Sequence, residues 1–459
     1  MDYGEKKSDY KQELVAGSEK YYAPEQSVEK PVIQQTPTFD QLFYNIPKGG
    51  SIAAIPEYHD GIIYFPSLDT HIYALDAETG EMIWKFKTGG PAMSAPLVHN
   101  GRIYFGSNDN HFYCLDLSGN LIWKKNLGDI IVSYPSAIGD NIFIAAGKTF
   151  FCLSENSEEK WRFMTGDGLL IVPKAVNDTI FISSYDKNIY ALDMKGILKW
   201  KFATGGALSS PLFMSDGKEL FSVNRRSHRE MPRADNVVLY IASSDNNLYA
   251  LTEDGKLLWK FNGGSSFATA LTGSGDTIYA GNISGYMNAI NTGGSRKWSF
   301  RTGALVTAAP TIDKEELYVN SWDGKIYCLD EEGGKIWDFL TGGPIAAESI
   351  VVGDRIYFGS ADTFFYCLDK KKRSVEWTFQ CGFGIPENLQ NKITQVANAV
   401  TEYDKKIFKV WIPETKAGKV AAPSFVQDYN TPAGFKLGEG VYKSASSYLS
   451  KRKPYDRQN

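Results

Sequence analysis

Residues 72–86 read IYALDAETGEMIWKF, and the chain repeats this stretch eight times with small variations. If IYALD is extended, Tyr73 and Leu75 point one way and Ala74 and Asp76 the other, the period-two signature of a strand. Thr79-Gly80 then closes a tight turn, where glycine takes positive φ without a steric cost. Trp84 follows the glycine by four residues, within reach of its own turn and the neighbouring strand. The other copies carry Trp123, Trp161, Trp200, Trp259, Trp298, Trp337 and Trp377, at successive spacings of 39, 38, 39, 59, 39, 39 and 40 residues. A steady period near 40 built of short strands indicates a propeller or solenoid array.

Each unit holds four strands. The second reads SAPLV (94–98), RIYFGS (102–107), FYCLD (112–116) and LIWKKN (121–126), with polar turns between them. A lone sheet of this size leaves too much apolar face in water, whereas sheets packed around an axis bury it. The expectation is an all-β, eight-bladed β-propeller of four-stranded antiparallel blades, with seven blades plus one degenerate unit as the alternative. The repeats span residues 50–381, preceded by an extended arm (1–49) and followed by a partly extended segment (382–459). The 59-residue spacing marks an insertion at about 218–237 in blade 5.

The pattern A-x-D-x-x-T-G-x-x-x-W, carried by Ala74, Asp76, Thr79, Gly80 and Trp84, resembles the tryptophan-docking motif of pyrroloquinoline-quinone-like (PQQ-like) propeller repeats. The Trp-Asp and Gly-His signatures of WD40 blades are missing. That family includes quinone-dependent dehydrogenases and also cofactor-free interaction modules, such as the lipoprotein subunit of the bacterial outer-membrane assembly machine. The resemblance therefore implies the fold and leaves the activity open. The chain is closest in style to the non-catalytic members. It has no Cys-Cys dipeptide of the kind that caps the quinone in methanol dehydrogenases, and eight of its ten tryptophans belong to the repeat. Asp76, Asp116, Asp193, Asp330 and Asp369 flank the turns, where they are expected to cap N–H groups. No cofactor is expected. The alternatives are a PQQ- and calcium-dependent dehydrogenase, or a ligand sensor using the channel mouth.

A net charge of −4 argues against nucleic-acid binding, which needs a broad basic surface. The five histidines show no metal-ligand spacing. The glycines of TGGPAMSAP (88–96) and its echoes lack the order of a phosphate-binding loop and suit a crossing between blades. Cys114, Cys152, Cys328 and Cys367 share one repeat position with alanines, so they read as packing thiols; Cys381 stands alone. Unbridged thiols, with no apolar leader or membrane span visible in the sequence, point to a cytoplasmic protein.

What remains suggests protein partners. Arg225, Arg226, Arg229 and Arg233 crowd the blade 5 insertion, expected on the rim of the T-G turns as a loop that reaches an acidic partner. Tyr185 and Trp322 occupy equivalent second-to-third-strand turns, expected as exposed anchors around the channel mouth. Trp411 lies in a C-terminal strand that would add to a blade edge. The sequence thus reads as a scaffold or assembly subunit whose arms order on partners.

Overall fold

The computed structural model describes residues 50–169, 173–210, 212–215, 227–228, 234–267 and 269–382. Among these residues all regular structure is β. Eight antiparallel blades of four consecutive strands succeed one another along the chain, blade 3 carrying a fifth strand from elsewhere, and they form an eight-bladed propeller rather than the seven-bladed alternative. Blade 1 comprises Glu57–His59, Ile62–Pro66, His71–Asp76 and Met82–Lys87; blade 8 comprises Ile350–Val352, Arg355–Gly359, Phe364–Asp369 and Ser374–Gln380. The short first strands lie innermost, and those of blades 1 and 2, 6 and 7, and 7 and 8 approach one another. Fourth strands lie outermost, and in blades 1 to 6 they alternate between exposed and half-buried residues.

Alternation in the third strand serves two interfaces at once. Tyr73 and Leu75 pack towards blade 8 with Phe365 and Trp377, while Ile72 and Ala74 pack towards blade 2 with Ile103 and Phe105. Both faces are dry, so each large side chain in these strands contributes about 1.5–3 kcal/mol of burial. The position shared by alanine and cysteine lies directly opposite the repeat tryptophan on the fourth strand, as in Ala74↔Trp84 and Cys114↔Trp123. A bulky residue there would push the indole out of the sheet, hence the small group.

The tryptophans do not fold over their own turns, as their spacing suggested. A bulge follows the small position in every blade, and the indole leans onto the turn of the next blade. Trp84 covers Gly119, where an added Cβ would come within 2.7 Å of the indole. Gly119 also has φ +84°, so both conformation and space demand glycine. In six blades the indole N–H donates across the interface to a turn carbonyl, from Trp84 to Leu117 O at 3.0 Å through to Trp298 to Glu331 O at 2.7 Å.

A second tie between blades comes from S-x-D-x-x-x-Y, written six times from Ser67-x-Asp69 to Ser360-x-Asp362. In blade 2, Asp109 Oδ2 accepts Tyr113 Oη at 2.5 Å and the Gly89 amide of the preceding crossing loop at 2.8 Å. The same tyrosine and glycine donors meet Asp186, Asp245, Asp323 and Asp362. Blades 3 and 6 lack the latch, with Phe151 and Asn288 in the tyrosine's place.

The ring closes without a shared blade. The crossing from blade 8 to blade 1 is assembled from both ends of the described segment. Cys381 N–H donates to Thr363 O, as Thr88 N–H does to Thr70 O, and Leu68 N–H donates to Ser51 O, as Asn108 N–H does to Pro91 O. The ends are so close that a Cβ on Gly50 would lie 2.5 Å from Cys381 O.

Candidate interaction surface

The crossing loops carry the second-to-third-strand turns. Leu68, Asn108, Gly147, Tyr185, Ser244, Ile283, Trp322 and Ala361 each donate a backbone N–H to a crossing-loop carbonyl, which fixes them as one ring of equivalent positions. Trp322, Ala361, Leu68, Ala53, Ala346 and Leu305 form one apolar cluster drawn from the turns and crossing loops of blades 7, 8 and 1.

Trp322 is not an exposed anchor. It is 7% exposed, and its indole N–H donates to Thr307 Oγ1 at 2.7 Å. Thr307 belongs to the crossing loop that precedes it, so this tryptophan fastens a turn to its own scaffold. Tyr185 is half-buried, its ring against Gly168. The two are brought into one ring, but neither stands free in it. Arg225, Arg226, Arg229, Arg233 and Trp411 lie outside the described residues. The described parts of the insertion, residues 227–228 and 234–237, return to this chain's own blades instead of standing off as a rim loop.

The exposed apolar surface is elsewhere, on the outer strands. Blades 1, 2 and 5 place two aliphatic residues directly ahead of the repeat tryptophan, and blade 4 places a pair one residue earlier, with Ile197 in the turn that enters the strand; all eight are exposed: Met82-Ile83, Leu121-Ile122, Ile197-Leu198 and Leu257-Leu258. Ile197 is 62% exposed and Ile83 50%. The fourth strand is also the last in each of these sheets, so among the described residues its outer edge has no ladder partner. An apolar pair beside an unpaired backbone edge is a surface that accepts another chain. These pairs were visible in the sequence. Their exposure is not legible there, because it depends on the outermost strand having no blade beyond it.

The titratable groups are engaged in structure. Asp76 Oδ1 accepts the amides of Glu78 and Thr79, and Asp116, Asp193, Asp330 and Asp369 cap their turns in the same way. His71 Nδ1 and His111 Nδ1 lie 3.0 and 2.9 Å from the carbonyls of Asp69 and Asp109, the place taken by Asn188 Nδ2 in blade 4. Both are therefore half-buried turn caps. All five cysteines are free and buried. Burial pushes the thiols of Cys114, Cys152, Cys328 and Cys367 up to about 12, which removes them as nucleophiles. Among the described residues no three His, Cys, Asp or Glu side chains gather as a metal-ligand set. No helix among them is long and apolar enough to cross a membrane.

A family profile described as outer membrane protein assembly factor BamB, built on the PQQ-type repeat, matches residues 26–129, 113–224, 214–338 and 285–422. The chain belongs to the BamB family. No curated protein matches it. The BamB-family propeller is similar in structure to BamB from Moraxella catarrhalis, with TM-score 0.55 and 20% identity over 67% of this chain and 91% of that one. It is also similar to the computationally designed Ika8 protein, with TM-score 0.58 and 13% identity over 70% of this chain and 97% of that one. A third likeness is to quinohemoprotein alcohol dehydrogenase from Comamonas testosteroni, with TM-score 0.56 and 14% identity over 68% and 71% of the two chains. At these identities the structural likenesses speak for the fold alone.

Proposed function

We propose that this BamB-family propeller is a non-catalytic assembly subunit that binds other proteins through the outer strands of its blades. The exposed aliphatic pairs of blades 1, 2, 4 and 5 carry this reading, because each sits beside a strand edge with no ladder partner among the described residues. Membership of a family described by an assembly factor supports it. So does the use of aspartates, histidines and cysteines for capping and packing. We extend the reading to a reducing compartment, on the strength of five buried and unbridged thiols.

The test is chemical cross-linking of the native protein in its own cell extract, with cross-linked sites mapped by mass spectrometry. Partner cross-links should concentrate on the outer strands and fall at least severalfold in the variant Ile197→Glu/Leu258→Glu, whose melting temperature should stay within a few degrees of the parent. Cross-links that ignore the double substitution would refute the outer-strand surface. Cofactor absorbance and dye-linked alcohol oxidation on adding calcium and PQQ would replace the reading with a quinoprotein dehydrogenase.

A further inference from the structure

The blade 5 insertion is fastened to its own propeller at two separate places. On its return limb, Asn177 Nδ2 donates to Ala234 O at 2.7 Å and Ala234 N–H donates back to Asn177 Oδ1 at 3.1 Å. Asn177 belongs to the first-to-second-strand loop of blade 4, at φ +49°, and its Nδ2 also lies 3.1 Å from Glu253 Oε2 of blade 5. Ala234 and the buried Val237 pack against the core shared by blades 4 and 5.

Earlier in the insertion, Ser227–His228 runs beside the first strand of blade 3, with Ser227 opposite Ala137 and His228 opposite Ile138. This makes blade 3 a five-stranded sheet with the added strand on its axial edge, next to the first strand of blade 2. The pairing is parallel, whereas every ladder within a blade is antiparallel.

Blade 3 has a particular need for such a tie. It is one of the two blades without the aspartate–tyrosine latch, its second and third strands being joined by the short turn Gly147-Lys148. An innermost strand also leaves one edge of backbone N–H and C=O groups facing the axis, and such an edge accepts any extended chain that reaches it.

We propose that the axial edge of blade 3 is a strand-acceptor site and that the blade 5 insertion is its resident donor. Through residues 227–228 and 234–237 the insertion straps blades 3, 4 and 5 together, replaces the missing latch, and keeps other extended chains off this edge. The inference does not depend on the outer-strand reading of function.

Hydrogen-exchange mass spectrometry on the full chain tests it, alongside a variant lacking residues 218–233 and a synthetic peptide of residues 222–232. The deletion should speed exchange at residues 136–138 by about tenfold or more, and the peptide added in trans should restore protection. The intact protein should not bind the peptide. Unchanged exchange at 136–138 in the deletion variant, or equal peptide binding by both proteins, would overturn the proposal. Should the deletion fail to fold, Asn177→Leu in the full chain decides. It should raise exchange at 136–138 and 227–228 while Thr149–Ser154 and Glu159–Met164 stay protected, and no change at either place would overturn the strap.

Discussion

Tyr357 and Trp377 meet over a single carbonyl where the ring closes. In six blades the indole N–H takes the carbonyl of the residue after the turn's capping position, but here Ala77 O accepts Tyr357 Oη at 2.8 Å. Trp377 Nε1 is buried with no partner among the described residues. Replacing Tyr357 by Phe frees Ala77 O for the indole, so one hydrogen bond is exchanged for another. Urea denaturation should then show a change within about 1 kcal/mol. Trp377→Ala removes the side chain that covers Gly80 and should cost about 3–5 kcal/mol by the same measurement. The residue-level signal in the sequence was strong for what the tryptophan is and weak for what it touches. Four residues separate Gly80 from Trp84, which suits a local contact. The bulge that swings the indole to the next blade leaves no trace in the spacing.

Among elements, the second-to-third-strand turn is held by the carboxylate of S-x-D-x-x-x-Y. Burial alone would raise Asp109, Asp186 and Asp245, yet the tyrosine hydroxyl and backbone amides donating to each outweigh it and hold these carboxyls below their ordinary value. A lowered carboxyl adds stability that is present above the unfolded value, near pH 4, and is lost as pH falls through the folded one. Acid titration followed by tryptophan fluorescence should therefore show stability falling below about pH 4. Asp109→Ala should flatten that fall and cost about 2–3 kcal/mol at neutral pH, since Tyr113 Oη and Gly89 N–H lose their shared acceptor. The motif is legible in the sequence as six copies at fixed spacing, but its partner glycine lies about twenty residues earlier in the preceding crossing loop, a contact the spacing does not reveal. Trp322 illustrates the reverse case. Its position in the turn was read correctly, but its burial depends on Thr307 in the preceding crossing loop, and the repeat does not encode that contact.

For the whole molecule, the blade count and class followed from the forty-residue period because each blade is four consecutive strands and closure needs no exchange of elements. The binding surface did not follow, because exposure of the fourth strand is a property of the ring and not of any one blade. The thiols respond to the same geometry. Four cysteines on third strands are pushed up to about 12 by burial between blades. A raised thiol adds stability that is whole below the unfolded value, near pH 8.5, and is lost as pH climbs towards the folded one. Chemical denaturation midpoints should hold to about pH 8.5 and then decline towards pH 12. Iodoacetamide at pH 8 should leave the folded protein unlabelled at all five cysteines and label them after unfolding. Rapid labelling of the native form would contradict the packing.

Gly50 and Cys381 adjoin at the one joint that no peptide bond crosses, so the 49 residues before it and the 77 after Gly382 are tethered at neighbouring points. The seam there is held by hydrogen bonds and packing alone, so trimming the chain on either side of it would loosen the closure of the whole ring.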